Sequence, residues 1–291
     1  MEFLMGNEAI ARGAMDAGVH VVAGYPGTPS TEILETAARL NDGSVYVEWS
    51  VNEKAAMEVA AGASYAGART LVTMKQVGLN VAADPLMSLA YVGVEGGMVV
   101  AVADDPGPIS SQTEQDTRTF ARFAKLPIFD PASPEEAYAM TIAAYALSER
   151  YHTPVMIRPT TRICHGCATV ETRERQPQKT PKGFVKDPAR WVIFPRASYL
   201  NHQAIEIRNP KLGAEFSRSP FNKLVKAGRK GVACGGVSYA YVMEALQTIP
   251  NHNLSVLKIG TPFPFPEPLA EGFLRGVDDA LVIEELDPVI E

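Results

Sequence analysis

Residues 98–103 read MVVAVA, six apolar residues with no charge and no turn former among them. Such a run suits a strand covered on both faces, as in parallel sheets flanked by helices. Outward from it, strand runs and helical spacings alternate. Upstream, Leu71–Met74 is a strand, and 53–67 is a helix with Ala56, Val59, Ala60 and Ala63 on one side. Val45–Val47 and His20–Ala23 are brief strands. Segment 6–18 repeats Ala9, Ile10, Gly13, Ala14 and Ala17 at helical spacing. Residues 29–40 read as a helix capped by Thr28 with Pro29 at its first position, and Gln76–Gly78 as a loop before a helix to about Tyr91. Downstream, Leu126–Phe129 is a strand, Ser133-Pro134-Glu135-Glu136 is a capping box opening a helix to about Arg150, and PVMIR (154–158) closes the series. This alternation predicts an α/β fold with a doubly wound, mostly parallel sheet.

The pattern lapses after that. ETRERQPQKTPKGFVKDPAR (171–190) is charged and aperiodic and reads as a linker, and 191–220 reads as irregular. Strands return at Gly231–Cys234, Leu254–Ile259 and Ala280–Glu284, with a helix over Ser238–Gln247. The expected division is a first domain over 1–170, a linker over 171–190 and a smaller α/β domain over 191–291. The closing LDPVIE follows a strand directly, so a longer protein continuing past Glu291 is expected.

Composition narrows the function classes. A net charge of −6 without a basic block argues against nucleic acid as a partner. No apolar stretch approaches the roughly 20 residues that cross a bilayer. The start MEFLMGNEAIARG lacks the basic region and cleavage pattern of a signal peptide, and three cysteines suit a reducing compartment, so a cytoplasmic location is expected.

In open parallel sheets, ligands lie beyond the carboxyl ends of the strands. Three loops fall there: GYPGTPST (24–31), MKQVGLN (74–80) and DDPGPISSQTEQDTR (104–118). They bring Thr28, Ser30, Thr31, Lys75, Gln76, Asn80, Ser110, Ser111, Gln112 and Arg118 to one end of the sheet, a set suited to a polar anion. Equally, such residues satisfy caps and turns in any α/β protein. Glu53 opens a helix of small and apolar residues. The helix dipole favours a carboxylate there, which is explanation enough for most such glutamates. Covered by another subunit or domain, the same acid could hydrogen-bond a heterocycle nitrogen in a dry pocket.

GNEAIARGAMDAGV, GYPGTPST, NEKAAMEVAAGASYAG, GLNVAADPLMSLAYVGV, ADDPGPISSQTEQDTR and VIEELDP together resemble the alpha subunits of the indolepyruvate:ferredoxin oxidoreductases. These are a branch of the thiamine-diphosphate-dependent 2-oxoacid:ferredoxin oxidoreductase family. The resemblance runs along nearly all of 1–170 and returns over 231–288. It implies a pyrimidine-binding domain followed by a transketolase C-terminal-like domain. It also implies oxidative decarboxylation of an aryl 2-oxoacid to its acyl-CoA, with ferredoxin as electron acceptor. Glu53 matches the family's cofactor-activating glutamate. Bonded to N1′ of the aminopyrimidine, it would favour the imino tautomer, whose nitrogen takes the proton from C2 of the thiazolium. The YPGTPS turn resembles the family's YPxTPS turn, placing Tyr25, Pro26 and Thr28 at the cofactor and Thr28 near the substrate carboxylate. Lys75, Gln76, Asn80 and Arg118 would lie near the substrate. The arylpyruvate branch often has Lys-His where this chain has Lys75-Gln76, a departure bearing on substrate preference.

The family's Mg²⁺-diphosphate half-site carries a GDG motif, and its [4Fe–4S] clusters carry CxxCxxCxxxC runs; this sequence has neither. The resemblance therefore implies a shared thiamine diphosphate and a chain inactive alone. The complementing parts would be a diphosphate-binding domain or subunit, a small gamma/beta-type subunit and a second copy of the chain. Coenzyme A, a 2-oxoacid and ferredoxin would complete the reaction. Cys164, His165, Cys167 and Cys234 could form a zinc site, although structural zinc ligands usually come as two paired half-sites. Two alternatives stay open: a non-catalytic α/β assembly module, and a nonoxidative thiamine diphosphate enzyme.

Overall fold

The computed structural model describes residues 1–291. The first part of the chain forms β1 (Glu2–Met5), α1 (Gly6–Asp16), β2 (Val21–Gly24), α2 (Thr31–Leu40), β3 (Tyr46–Trp49), α3 (Glu53–Tyr65), β4 (Thr70–Lys75) and α4 (Gln76–Val92). There follow β5 (Met98–Ala103), α5 (Thr117–Ala124), β6 (Ile128–Phe129), α6 (Pro134–Tyr151), β7 (Val155–Ile157), α7 (Thr161–His165) and β8 (Cys167–Val170). The remainder comprises α8 (Pro188–Trp191), α9 (Pro195–Phe216), β9 (Lys223–Val225), β10 (Lys230–Gly235), α10 (Gly236–Thr248), β11 (Leu254–Ile259), α11 (Glu267–Leu274) and β12 (Asp279–Ile283).

MVVAVA becomes β5, buried at every residue, inside a six-stranded sheet of order β3-β2-β4-β5-β7-β6 in which all pairings are parallel. Strand alternation sends Val99 and Ala101 to one face, where α1, α2 and α6 pack, and Met98, Val100 and Val102 to the other, against α3, α4 and α5. Helices cover both faces, so the sheet is doubly wound. The small residues of α1 permit close contact with α6: a Cβ on Gly13 would lie 2.8 Å from the Tyr138 carbonyl oxygen. Ser133 caps α6 by accepting from the Glu136 N–H at 3.3 Å, while Glu136 accepts from the Ala132 N–H at 3.0 Å.

Four local readings are corrected. Gln76–Gly78 is the first turn of α4, because Leu79, Ala82, Leu86 and Leu89 bury a continuous stripe that starts there. Pro29 precedes α2, which begins at Thr31 with Ser30 as its cap residue. The Ser30 hydroxyl donates to the Gly27 carbonyl at 2.9 Å, and the Thr31 hydroxyl accepts from the Gly27 N–H at 3.0 Å, closing the turn ahead of the helix. Residues 195–216, within the stretch read as irregular, form α9, with Pro210 inside it. Only Ile205, Leu212, Gly213 and Phe216 of that helix are buried, too sparse a pattern to read as a helix from sequence. Finally, β8 pairs antiparallel with β1, an element without a strand-like sequence signal.

The second unit is a four-stranded mixed sheet, order β12-β10-β11-β9, with β10 parallel to β11 and β12 and β9 antiparallel at the edge. A charged joint fixes it to the first. Buried Arg118 donates to Asp116 at 2.6 Å and to Glu284 at 3.0 Å, and also to the Asp287 carbonyl at 3.1 Å. Arg162 reaches Glu285 at 2.9 Å, and the Asp130 N–H donates to the Gly260 carbonyl at 2.8 Å. No helix is long and apolar enough to cross a membrane.

Candidate active site

The carboxyl ends of β2, β3, β4 and β5 open onto one edge of the first unit, and most of the candidate residues meet there. The Ser50 N–H donates to the Gly24 carbonyl at 2.9 Å, holding the exit of β3 beside that of β2. Asn52 caps α3 by accepting from the Ala55 N–H at 2.9 Å. That cap leaves Glu53 as the first residue of the helix, 9% exposed. Its carboxylate has no hydrogen-bond donor and no counter-ion in the chain. Neighbouring Lys54 pairs outward with Asp84 at 2.8 Å. Glu53 instead crosses the opening turn of α4, where a Cβ built on Gly78 would lie 2.3 Å from Oε1. The acid thus stands at the positive ends of two helices.

Lys75 lies alongside. Its stem packs over Gly27, where a Cβ would come within 2.8 Å of Lys75 Cδ. No carboxylate lies within ion-pair distance of the Lys75 ammonium. Tyr25, Pro26 and Thr28 are exposed along the rim. Gln76 is 1% exposed; its Nε2 donates to the Thr113 carbonyl at 3.2 Å, and its Oε1 has no partner. Asn80 is exposed one turn further along α4. The loop after β5 folds over this group, with the Ser110 hydroxyl 3.4 Å from the Thr28 carbonyl.

Arg118 does not join them. All of its side-chain hydrogen bonds go to Asp116, Glu284 and the carbonyls of Glu285 and Asp287, so it serves the joint between the units. Burial of its long side chain removed it from the ligand face. The cysteines do not gather either: Cys164 and Cys234 are buried, Cys167 is exposed, and no set of three His, Cys, Asp or Glu residues forms a metal site. Burial raises the Cys164 thiol well above its ordinary value and pushes Cys234 up to about 12.

Three residues that hold the site escaped the sequence reading. Asn7 of α1 donates to the Pro29 carbonyl at 2.7 Å and to Glu32 at 2.8 Å, pinning the GYPGTPST turn from behind. Asp105 accepts from the Ile109 and Ser110 N–H groups at 3.0 and 2.9 Å and from the Thr161 hydroxyl at 2.7 Å. Burial alone would raise its carboxyl, but these donors hold it below the usual carboxylate range. Asp-Pro-Gly at 105–107 carries the signal of a side-chain-closed turn, which could have marked it. Gly78 is the third.

Residues 12–211 match the family model described as pyruvate flavodoxin/ferredoxin oxidoreductase, thiamine diphosphate-binding. The chain belongs to this family. Among its relatives in the oxidoreductase family, indolepyruvate oxidoreductase subunit IorA of Pyrococcus abyssi is 46% identical, over 99% of this chain and 46% of the relative. The corresponding subunit of Methanothermobacter thermautotrophicus is 43% identical, over 99% of this chain and 47% of its own length. The chain therefore spans about half the length of these relatives. Among solved structures, 2-oxoglutarate:ferredoxin oxidoreductase from Magnetococcus marinus, with 2-oxoglutarate, coenzyme A and succinyl-CoA bound, superposes with a TM-score of 0.77. It is 17% identical, over 97% of this chain and 57% of that one, a likeness of fold alone.

Proposed function

We propose that this chain supplies the aminopyrimidine-activating half of a thiamine diphosphate site, in an enzyme that oxidatively decarboxylates an aryl 2-oxoacid. Coenzyme A takes the acyl group and ferredoxin the electron pair. Family membership supports the cofactor. The observation that carries the reading is the Glu53 carboxylate, buried at a helix start with no partner of its own. An acid so placed fits a ring nitrogen: it needs a donor that the chain does not provide.

When bound, thiamine diphosphate would supply the nucleophile for the keto carbon and the electron sink that takes up the electron pair left by departing carbon dioxide. Glu53 holds and returns the proton at N1′ of the aminopyrimidine, a task within reach of a carboxyl group and beyond an amide. The unpaired Lys75 ammonium and the Thr28 hydroxyl attract the 2-oxoacid carboxylate, and Tyr25 and Pro26 form an apolar wall. Gln76, half satisfied and out of water, shapes the pocket floor, with Asn80 beyond it. The second unit braces the first through Arg118 and Glu284. The diphosphate, with its Mg²⁺, and the iron–sulfur clusters are assigned to another domain or subunit, and turnover to the complete assembly.

The test is Glu53→Gln in the assembled enzyme. Loss of 2-oxoacid-dependent ferredoxin reduction on the order of 100-fold or more, with an unchanged fold, is expected. Retained activity would return the chain to the role of an assembly module. Comparing indolepyruvate, phenylpyruvate and pyruvate as substrates tests the aryl preference.

A further inference from the structure

We propose that Gly78 is a positioning residue that sets where the Glu53 carboxylate sits. This inference rests on the assignment of Glu53 above. Nothing in the backbone of α4 asks for glycine at this position: Gly78 lies in the helical first turn and is not among the residues with positive φ. A glycine in a helix is less stable than an alanine, so its presence needs another cause. The cause is steric. A Cβ there would lie 2.3 Å from Glu53 Oε1 and 2.8 Å from both Cγ and Cδ, well inside contact distance. The acid lies flat across the one place on α4 where no side chain stands.

Gly62 on α3 shows the contrast. It too is helical, but a Cβ there would meet nothing within 4 Å. The two glycines look alike in sequence and differ in what passes over them. Because the atoms crowded by a Cβ at Gly78 belong to the outer half of a flexible side chain, the fold can accept alanine by swinging Glu53 away. The acid would be displaced while the scaffold stays.

The test compares Gly78→Ala, Glu53→Ala, the double variant, Glu53→Gln and Gly62→Ala in the assembled enzyme. Three quantities are read: the thermal midpoint, the exchange of the C2 proton of bound thiamine diphosphate for deuterium without 2-oxoacid, and kcat with KM. Gly78→Ala should slow proton exchange and kcat together, on the order of 10- to 100-fold, with KM unchanged. Placed on Glu53→Ala, which removes the Cγ, Cδ and Oε1 that the new methyl would meet, the same substitution should change exchange by less than about twofold, the mark of a coupled pair. Gly62→Ala should leave exchange and the kinetic constants alone and raise the midpoint, as alanine does in an open helical position. If Gly78→Ala lowers the thermal midpoint, the double variant should recover it. Unchanged exchange in Gly78→Ala overturns the inference, as does an equal loss, in rate or in midpoint, whether Gly78→Ala is made alone or on top of Glu53→Ala. Glu53→Gln separates the two claims: full activity there removes Glu53 itself, whereas an inactive Glu53→Gln beside a silent Gly78→Ala removes only the positioning role.

Discussion

Lys75 is a cation without a counter-ion next to an acid without a donor. The two groups rest on different glycines: the lysine stem lies over Gly27, while Glu53 lies over Gly78. Under the proposed function, the lysine would serve an anion and the glutamate a basic nitrogen. Lys75→Met keeps the stem over Gly27 and removes only the charge. It should raise KM for the 2-oxoacid about 10- to 100-fold, equivalent to one charge-assisted hydrogen bond of about 1.5–3 kcal/mol, with a smaller effect on kcat. Steady-state kinetics with a saturating partner set checks this; an unaltered KM would place the substrate carboxylate elsewhere. As candidates, Glu53 and Lys75 were legible from sequence, one at the head of an apolar helix and the other at the exit of a strand. Gly78 was not, since nothing in the string says that another helix's side chain will pass over it. Arg118 misled for the opposite reason: its loop neighbours face the cleft, but its partners, Glu284 to Asp287, lie more than 160 residues away in sequence.

Among the elements, strands and helices of the first unit followed from periodicity, since two buried faces of one sheet leave little freedom for β5 or α6. Elements without a buried stripe were lost. α9 is held largely by polar contacts, with Arg208 donating to the Lys125 carbonyl at 2.8 Å, and buries few apolar groups. The joint carried by α5 and the segment after β12 has its own predictions. Arg118→Met should cost about 3–5 kcal/mol in denaturant unfolding, because it strands buried carboxylates without their cation. The joint should also respond to pH in two opposed ways. At Asp116, burial acts to raise the carboxyl, but the Arg118 hydrogen bonds and the Arg158 charge win and hold it below 3.8. The folded chain then binds fewer protons than the unfolded chain, so this stability is complete above the unfolded value and fades as pH falls through the folded one. Glu285 has the opposite sign: burial raises it above 4.5 despite Arg158 and Arg162, so its contribution is complete below 4.5 and is lost as pH rises through the folded value. Stability profiles of Asp116→Asn and Glu285→Gln should flatten the acid limb and the limb just above pH 4.5, respectively. The same profile in both variants would dismiss the joint as a source of pH dependence.

At the scale of the whole molecule, Glu53 lies on a face rather than in a closed cavity. Two grooves of about 790 and 650 Å³ lie elsewhere, lined respectively by residues such as Lys125 and Phe263 and by residues such as Phe120 and Asp287. Exposed apolar side chains stand on the adjoining segments: Trp49 at 41% at the end of β3, Val51 at 84% just before α3 and Val81 at 48% on α4, three residues past Gly78. A lone exposed valine needs no explanation, but under the proposed function this apolar fringe beside an unpartnered acid is the surface that the other half of the site would cover. A polypeptide carrying the diphosphate half-site would then seal it and give Glu53 the dry surroundings in which a proton transfer is effective. Val51→Glu isolates this idea. The side chain touches nothing that stabilises the chain, so unfolding should stay within about 0.5 kcal/mol. A charge buried against the covering surface should nevertheless lower assembly, and with it retained thiamine diphosphate, by about tenfold or more. Tyr241→Glu, an equally solvent-facing change on α10 of the second unit, should do neither. Sedimentation and cofactor content of the purified assemblies read both outcomes; normal assembly with full cofactor in Val51→Glu would mean that this face stays open to water in the working enzyme, and that Glu53 acts without a cover.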